Sequence, residues 1–194
     1  MLVFDNIRDL ARQIMRYAGN GYTKIQVTKI PKHKTKKIPN IENKLKKRYK
    51  LDLTTNQRQY RRRKGKANFV GLRYKETVII MRTAGETEIT EKFRELFGTE
   101  IPFEYLKLVL IKDEREKMTF RMERKFVLDI KAKISQAIKE RNGRKFHHEI
   151  KKLYSLSKAL PYRGIGLQIA GILKSIERQQ REHGTHWSVP RFFR

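Results

Sequence analysis

Ala67-Asn-Phe-Val-Gly-Leu-Arg-Tyr74 and Thr77-Val-Ile-Ile-Met-Arg-Thr83, with Lys75-Glu76 between them, decide the fold. Both runs are rich in β-branched and aromatic residues, and a two-residue spacer between such runs predicts a β-hairpin. The spacer lacks Gly or Asn, so the residue types leave the turn geometry open. Val78, Ile79, Ile80 and Met81 form an unbroken apolar run. A strand of that kind is buried on both faces, which makes it central in its sheet, with Leu72, Val78 and Ile80 in the core.

Upstream, Tyr22 to Ile30 alternates between two faces and stops at Pro31, the pattern of another strand. Before it, Ile7, Leu10, Ala11, Ile14, Met15 and Ala18 recur at three and four over residues 4–18. Asp5 and Asp9 lie early, Arg12 and Arg16 late, and Gly19-Asn-Gly21 stops the helix this predicts. A second helix is expected from Asn40, as N-cap, to about Leu51, with a thin apolar stripe of Ile41, Leu45 and Tyr49.

Downstream, Thr90 to Gly98 has the outline of a short capped helix carrying Phe93, Leu96 and Phe97. Residues 105–112 and 117–125 flank Asp113-Glu-Arg-Glu116 as a second hairpin. Five strands with interspersed helices define an α+β fold on a mostly antiparallel five-stranded sheet. From Phe126 the period becomes 3.6 and stays there. Three apolar stripes follow, with breaks at Asn142-Gly143 and Pro161 and a stop at Gly184, so a C-terminal three-helix bundle is expected. Pro161 suits the first turn of the third helix. The boundaries read as a basic α+β domain over 1–124, the bundle over 125–184, and a tail over 185–194. The tail's aromatics, Trp187, Phe192 and Phe193, are expected to dock on the body.

Charge points to function. Between Lys32 and Lys66 stand fifteen Lys and Arg against two acids, Glu42 and Asp52, about half of the chain's net +27. Self-repulsion opposes such a concentration unless a polyanion neutralises it, and phosphate backbones do so with release of counterions. Apolar residues interleave with the charge, as in a folded basic surface. The densest part, Arg58-Gln-Tyr-Arg-Arg-Arg-Lys-Gly-Lys66, reads as a loop pivoting on Gly65. Its Arg58, Arg61, Arg62 and Arg63 offer phosphate forks, Tyr60 a stacking face, and Lys64 and Lys66 further charge. Lys32, Lys34, Lys36 and Lys37, with Lys44, Lys47, Arg48 and Lys50 on the second helix, widen the footprint as point charges that position without reading sequence.

The remaining composition bounds the class. The chain has 194 residues, 38% hydrophobic, enough for a real core, and a pI near 10.5. There are no cysteines, so disulfides and Cys-ligated zinc are excluded, in keeping with an intracellular protein, cytoplasmic or nucleoid-associated. No apolar run approaches the ~20 residues that span a bilayer, so a soluble protein without a membrane partner is expected. Catalytic motifs are missing: no P-loop, no GxGxxG, no GxSxG. Asp129 and Glu149-Ile-Lys151 echo the spacing of metal-dependent nucleases, but those groups belong on adjacent strands and both stretches read as helix. His147-His148 and His183-x-x-His186 lack carboxylate or Cys company at ligand spacing, so no metal and no cofactor is expected. A helix-turn-helix over the last two helices is disfavoured by Gly164, Gly166 and Gly171 in what would be the recognition helix.

The expectation is a non-enzymatic protein that grips nucleic-acid phosphates. Structured RNA within a ribonucleoprotein is the first choice, where other proteins are possible neighbours, because positive charge is spread over the whole chain and not confined to one helix. The alternatives are a DNA-binding accessory protein of a plasmid, phage or other mobile element, and a metal-dependent nuclease.

Overall fold

The computed structural model describes residues 1–103 and 105–190. The chain divides into two compact units, Met1–Phe103 and Glu104–Arg194. Among the described residues it is α+β, with a mixed five-stranded sheet, a three-stranded sheet and six helices, the last three following the strands.

In the first unit, β1 (Leu2–Phe4), β2 (Tyr22–Lys29), β3 (Phe69–Tyr74), β4 (Thr77–Thr83) and β5 (Arg94–Glu95) form a sheet in the order β1-β3-β4-β2-β5. The 67–83 hairpin is present. Phe69 faces Arg82 at its open end and Tyr74 faces Thr77 at its turn, where Lys75 takes a left-handed φ of 50°. β4 is central, and Val78, Ile79, Ile80 and Met81 are all buried. Val78 and Ile80 belong to a core with Ile30, Tyr49, Leu51, Ala67 and Phe69, onto which helix α2 (Ile38–Tyr49) packs Ile38, Ile41 and Leu45. Ile79 and Met81 point to the opposite face, as strand alternation requires. Helix α1 (Ile7–Gly19) lies against β1, β2 and β3 and buries Leu10, Ala11, Ile14 and Ala18.

Several boundaries differ from the sequence reading. Helix α1 starts after Asn6, whose side chain accepts from the Asp9 N–H at 2.8 Å, and this frees residues 2–4 to pair in parallel with β3. A 3-10 turn occupies Lys32–Lys37, and α2 begins beyond it at Ile38, so Asn40 lies inside the helix. Pro39 is accommodated there because first-turn N–H groups have no intrahelical partner.

The helix expected at 90–98 does not form. Arg94 and Glu95 pair instead with Ile25 and Lys24 of β2, the Leu96 N–H donates to the Thr23 carbonyl at 2.7 Å, and Leu96 is fully buried. An exposed edge strand that needs partners outcompeted a weak local helix preference. The Arg-rich segment, conversely, is helix α3 (Thr55–Arg63), not a loop.

Strand β6 (Glu100–Phe103) was not foreseen. The expected hairpin at 105–125 is β7 (Leu106–Lys112) and β8 (Met118–Met122), with Leu110 facing Phe120; these belong to the three-stranded sheet, so the five strands read from the sequence are divided between two sheets. Helices α4 (Arg124–Lys139), α5 (Gly143–Ala159) and α6 (Arg163–Glu182) pack on one another through Ile130, Ile134, Phe146, Ile150, Leu153, Ile165, Ile169 and Ile172. Pro161 precedes the Tyr162 N-cap and does not enter the first turn of α6.

Gly164 serves close approach to a strand. A Cβ there would stand 2.5 Å from the Phe120 carbonyl oxygen, and its N–H donates to Thr119 Oγ1 at 2.9 Å. One turn on, the Gln168 side-chain amide accepts from the Met122 N–H at 2.8 Å and donates to the Met122 carbonyl at 2.9 Å, pairing β8 as a neighbouring strand would. Trp187 packs on Phe146 with ring centroids 4.9 Å apart. Phe192 and Phe193 lie outside the described residues.

Candidate nucleic-acid interface

Helix α3 begins at a capping box: the Gln57 N–H donates to Thr54 Oγ1, and the Thr54 N–H donates to Gln57 Oε1 at 2.9 Å. It buries no residue fully, so apolar packing cannot hold it. Arginine does. Arg58 donates through Nε to the Leu53 carbonyl at 3.0 Å, through Nη2 to that of Leu51 at 2.8 Å, and through Nη1 to that of Phe69. The buried Asn68 returns a bond from Nδ2 to the Arg58 carbonyl at 2.9 Å. One turn on, Arg61 donates to the Ala67 carbonyl at 2.9 Å, and Arg62 to that of Asn20 at 3.0 Å. A guanidinium matches several carbonyls at once because its donors form a rigid fork.

The helix presents its other face outward. Tyr60 is 64% exposed with the Lys64 ammonium 6.0 Å from its ring centroid, and Arg63, Lys64 and Lys66 are exposed. Lys32, Lys34, Lys36 and Lys37 are exposed on the 3-10 turn, Lys44 and Lys47 on α2, and Lys50 at its left-handed C-cap. Arg48 is exposed but ion-paired with Glu91. Of the fifteen residues singled out from the sequence, Arg58 and Arg61 are therefore committed chiefly to the fold. Arg48 and Arg62 have protein partners, and the remainder are open to solvent.

Behind α3, a cleft of about 340 Å³ gathers Arg48, Lys50, Arg61 and Lys66 opposite Glu86 and Glu88, over Tyr49, Phe69 and Ile89. Gly85 builds its wall. With φ +120° and a would-be Cβ 2.6 Å from the Gly65 carbonyl oxygen, it lets residues 65–67 pair with Glu86, whose N–H donates to Gly65 at 2.8 Å. Burial raises the Tyr49 phenol above its ordinary range and the neighbouring Glu91 carboxylate adds to the shift, while Arg48 opposes it. The Tyr49 hydroxyl donates to Gln26 Oε1 at 3.1 Å.

Asp129, Glu149 and Lys151 lie on α4 and α5, as the helical reading of those stretches predicts, and all three line one groove of the second unit. Among the described residues no group of three or more His, Asp or Glu side chains could hold a metal ion. His147, His148, His183 and His186 are exposed. The α6 stripe Ile165, Ile169, Ile172 and Ile176 is buried, and Arg163 is held by Asp113 at 2.8 Å. Among the described residues no helix is long and apolar enough to cross a membrane.

The signal missed in the sequence was Thr54-x-x-Gln57, which announces a helix start ahead of the arginines. Comparison with family models, with curated proteins and with solved structures finds no match to this chain.

Proposed function

We propose that this protein binds structured RNA by its phosphate backbone, as an intracellular, non-enzymatic component of a ribonucleoprotein. The observation that carries the reading is the division of labour on α3. Arg58, Arg61 and Arg62 are bonded to main-chain carbonyls, and the helix they anchor holds Tyr60, Arg63 and Lys64 toward solvent. With the lysines of the 3-10 turn and of α2, this gives a basic surface with an open aromatic face, suited to phosphates and an unpaired base.

One feature favours DNA as the second reading. Asn56, Gln59 and Arg63 are exposed at i, i+3 and i+7 on α3, residue types that read adenine and guanine edges. A nine-residue helix, roughly 13 Å long, also fits a major groove about 12 Å wide.

The test is binding of the full chain to a folded RNA and to duplex DNA of equal length across a salt series. If roughly 6–10 phosphates are neutralised, affinity falls about 10³–10⁵-fold between ~50 and ~200 mM salt. A log–log slope shallower than about −3 refutes backbone contact, and tighter binding to duplex DNA selects the second reading. Strands incubated with the protein and Mg²⁺ are expected to stay intact.

A further inference from the structure

The second unit carries a groove of about 730 Å³ along α4 and α5, within the roughly 300–1,000 Å³ typical of small-ligand sites. Its apolar wall is Tyr105, Phe126, Ile130 and Leu156, and Tyr105 is 72% exposed. Its polar lining includes Asp129, His148 and Glu149. Glu149 is 8% exposed; Oε1 accepts from Lys152 at 2.8 Å, while Oε2 is buried and has no hydrogen-bond partner among the described residues. A buried carboxylate oxygen left without a donor has given up its hydration for nothing in return, so the site is incomplete as it stands. Lys133 and Lys151 line the same groove, and neither forms an ion pair with a described residue.

We infer that this groove is a nucleotide site: a guanine base donates to Glu149 Oε2, its ring lies along Phe126, Ile130 and Tyr105, and its phosphate meets Lys133 and Lys151. Each part matches a feature of the groove: the unpaired Glu149 Oε2 can take an N–H, the two exposed ammoniums can take an anion, and the apolar wall can take a planar ring. Guanine fits the acceptor best because it places a ring N–H and an amine side by side; adenine and cytosine set an acceptor next to the amine, and uracil offers one N–H between two acceptors. The inference is independent of the basic face of the first unit, since none of these residues belongs to it.

Calorimetric titration of the full chain with GMP, UMP, guanosine and inorganic phosphate tests it. GMP is expected to bind one site at least tenfold more tightly than UMP or phosphate. The Glu149→Gln variant is expected to lose about tenfold for GMP, the equivalent of one charge-assisted hydrogen bond, and no longer to separate GMP from UMP. Equal affinity for GMP and UMP in the unaltered protein, or unchanged GMP binding in Glu149→Gln, overturns the assignment. Should circular dichroism show Glu149→Gln unfolded, the exposed pair Lys133→Ala/Lys151→Ala decides. A tenfold loss for GMP with guanosine binding kept supports the site, and unchanged GMP binding refutes it. Arg63→Ala serves as control: binding of GMP that falls with it belongs to the basic surface of the first unit and also refutes the site.

Discussion

Replacing Arg58 with Ala separates an arginine that builds the interface from those that use it. Its guanidinium serves the carbonyls of Leu51, Leu53 and Phe69, and also lies 3.4 Å from the Tyr22 hydroxyl. Hydrogen bonds to charged groups contribute about 1.5–3 kcal/mol each. Arg58 is half-buried, so water reaches part of what its loss exposes, and the net cost is about 3 kcal/mol against a domain stability of about 5–15 kcal/mol. For a unit of this size that lowers Tm by about 12–24 °C. Arg58→Lys recovers little, because one ammonium cannot meet three carbonyls in a plane. Thermal unfolding, repeated with urea, measures the loss. Binding is then read at a temperature where the variant is folded, and there it is expected to fall less than in Arg63→Ala. An unchanged Tm together with a larger binding loss than Arg63→Ala would refute the reasoning and make Arg58 a phosphate contact.

Arg63→Ala/Lys64→Ala is expected to leave unfolding within about 0.5 kcal/mol of the parent while weakening RNA binding at least tenfold, measured by filter binding at fixed salt. Gly164→Ala sets a methyl group 2.5 Å from the Phe120 carbonyl; it is expected to destabilise by about 1–3 kcal/mol, read in urea unfolding, with RNA binding by the first unit retained. Asp113 supplies a pH dependence. Desolvation works to raise its carboxyl, but the Lys117 and Arg115 N–H groups and the Arg163 guanidinium outweigh it and hold the group below its ordinary value of 3.8. Its stabilisation is therefore complete above that value and lost as pH falls through the lower folded-state value; Asp113→Asn is expected to flatten the acid limb of a Tm–pH profile, and an unaltered limb contradicts the assignment.

Much of the architecture was legible because its signals were periodic. The 67–83 hairpin, β2, α1 and the three late helices each repeat an apolar pattern over enough residues to override local ambiguity. What failed was short or polar. Arg94 and Glu95 pair with β2 through backbone groups that no side-chain pattern reports. The residues 58–66 read as a charged loop because α3 has no apolar stripe, and its capping box was the remaining clue. The site suffered for the same reason. Sequence ranks Arg58, Arg61, Arg62 and Arg63 alike, whereas carbonyls from positions 20, 51, 53, 67 and 69 take up the first three. Asn20 is 42 residues from Arg62, and the other acceptors, five to eleven residues away, meet Arg58 and Arg61 only after the chain has turned back on itself, so residue types alone do not report the distinction.

Helix α3 also shows how so basic a segment can be ordered before its ligand arrives. An isolated helix of nine residues is marginal in water, and six cations between Arg58 and Lys66 oppose each other's approach. The fold turns part of that charge inward, where carbonyl oxygens at the ends of strands and loops act as fixed counter-dipoles. Each inward arginine adds repulsion against its neighbours but fixes the axis of the helix that carries Tyr60, Arg63 and Lys64. A phosphate backbone then meets side chains on an ordered scaffold and does not bear the entropy of folding it. Uniform Arg→Lys substitution over Arg58–Arg63 would keep every formal charge yet surrender that order, because the inward positions need forks and the outward ones mainly charge. The same substitution confined to Arg63 spares the scaffold, so comparing the two variants isolates how much of the affinity comes from order and how much from charge.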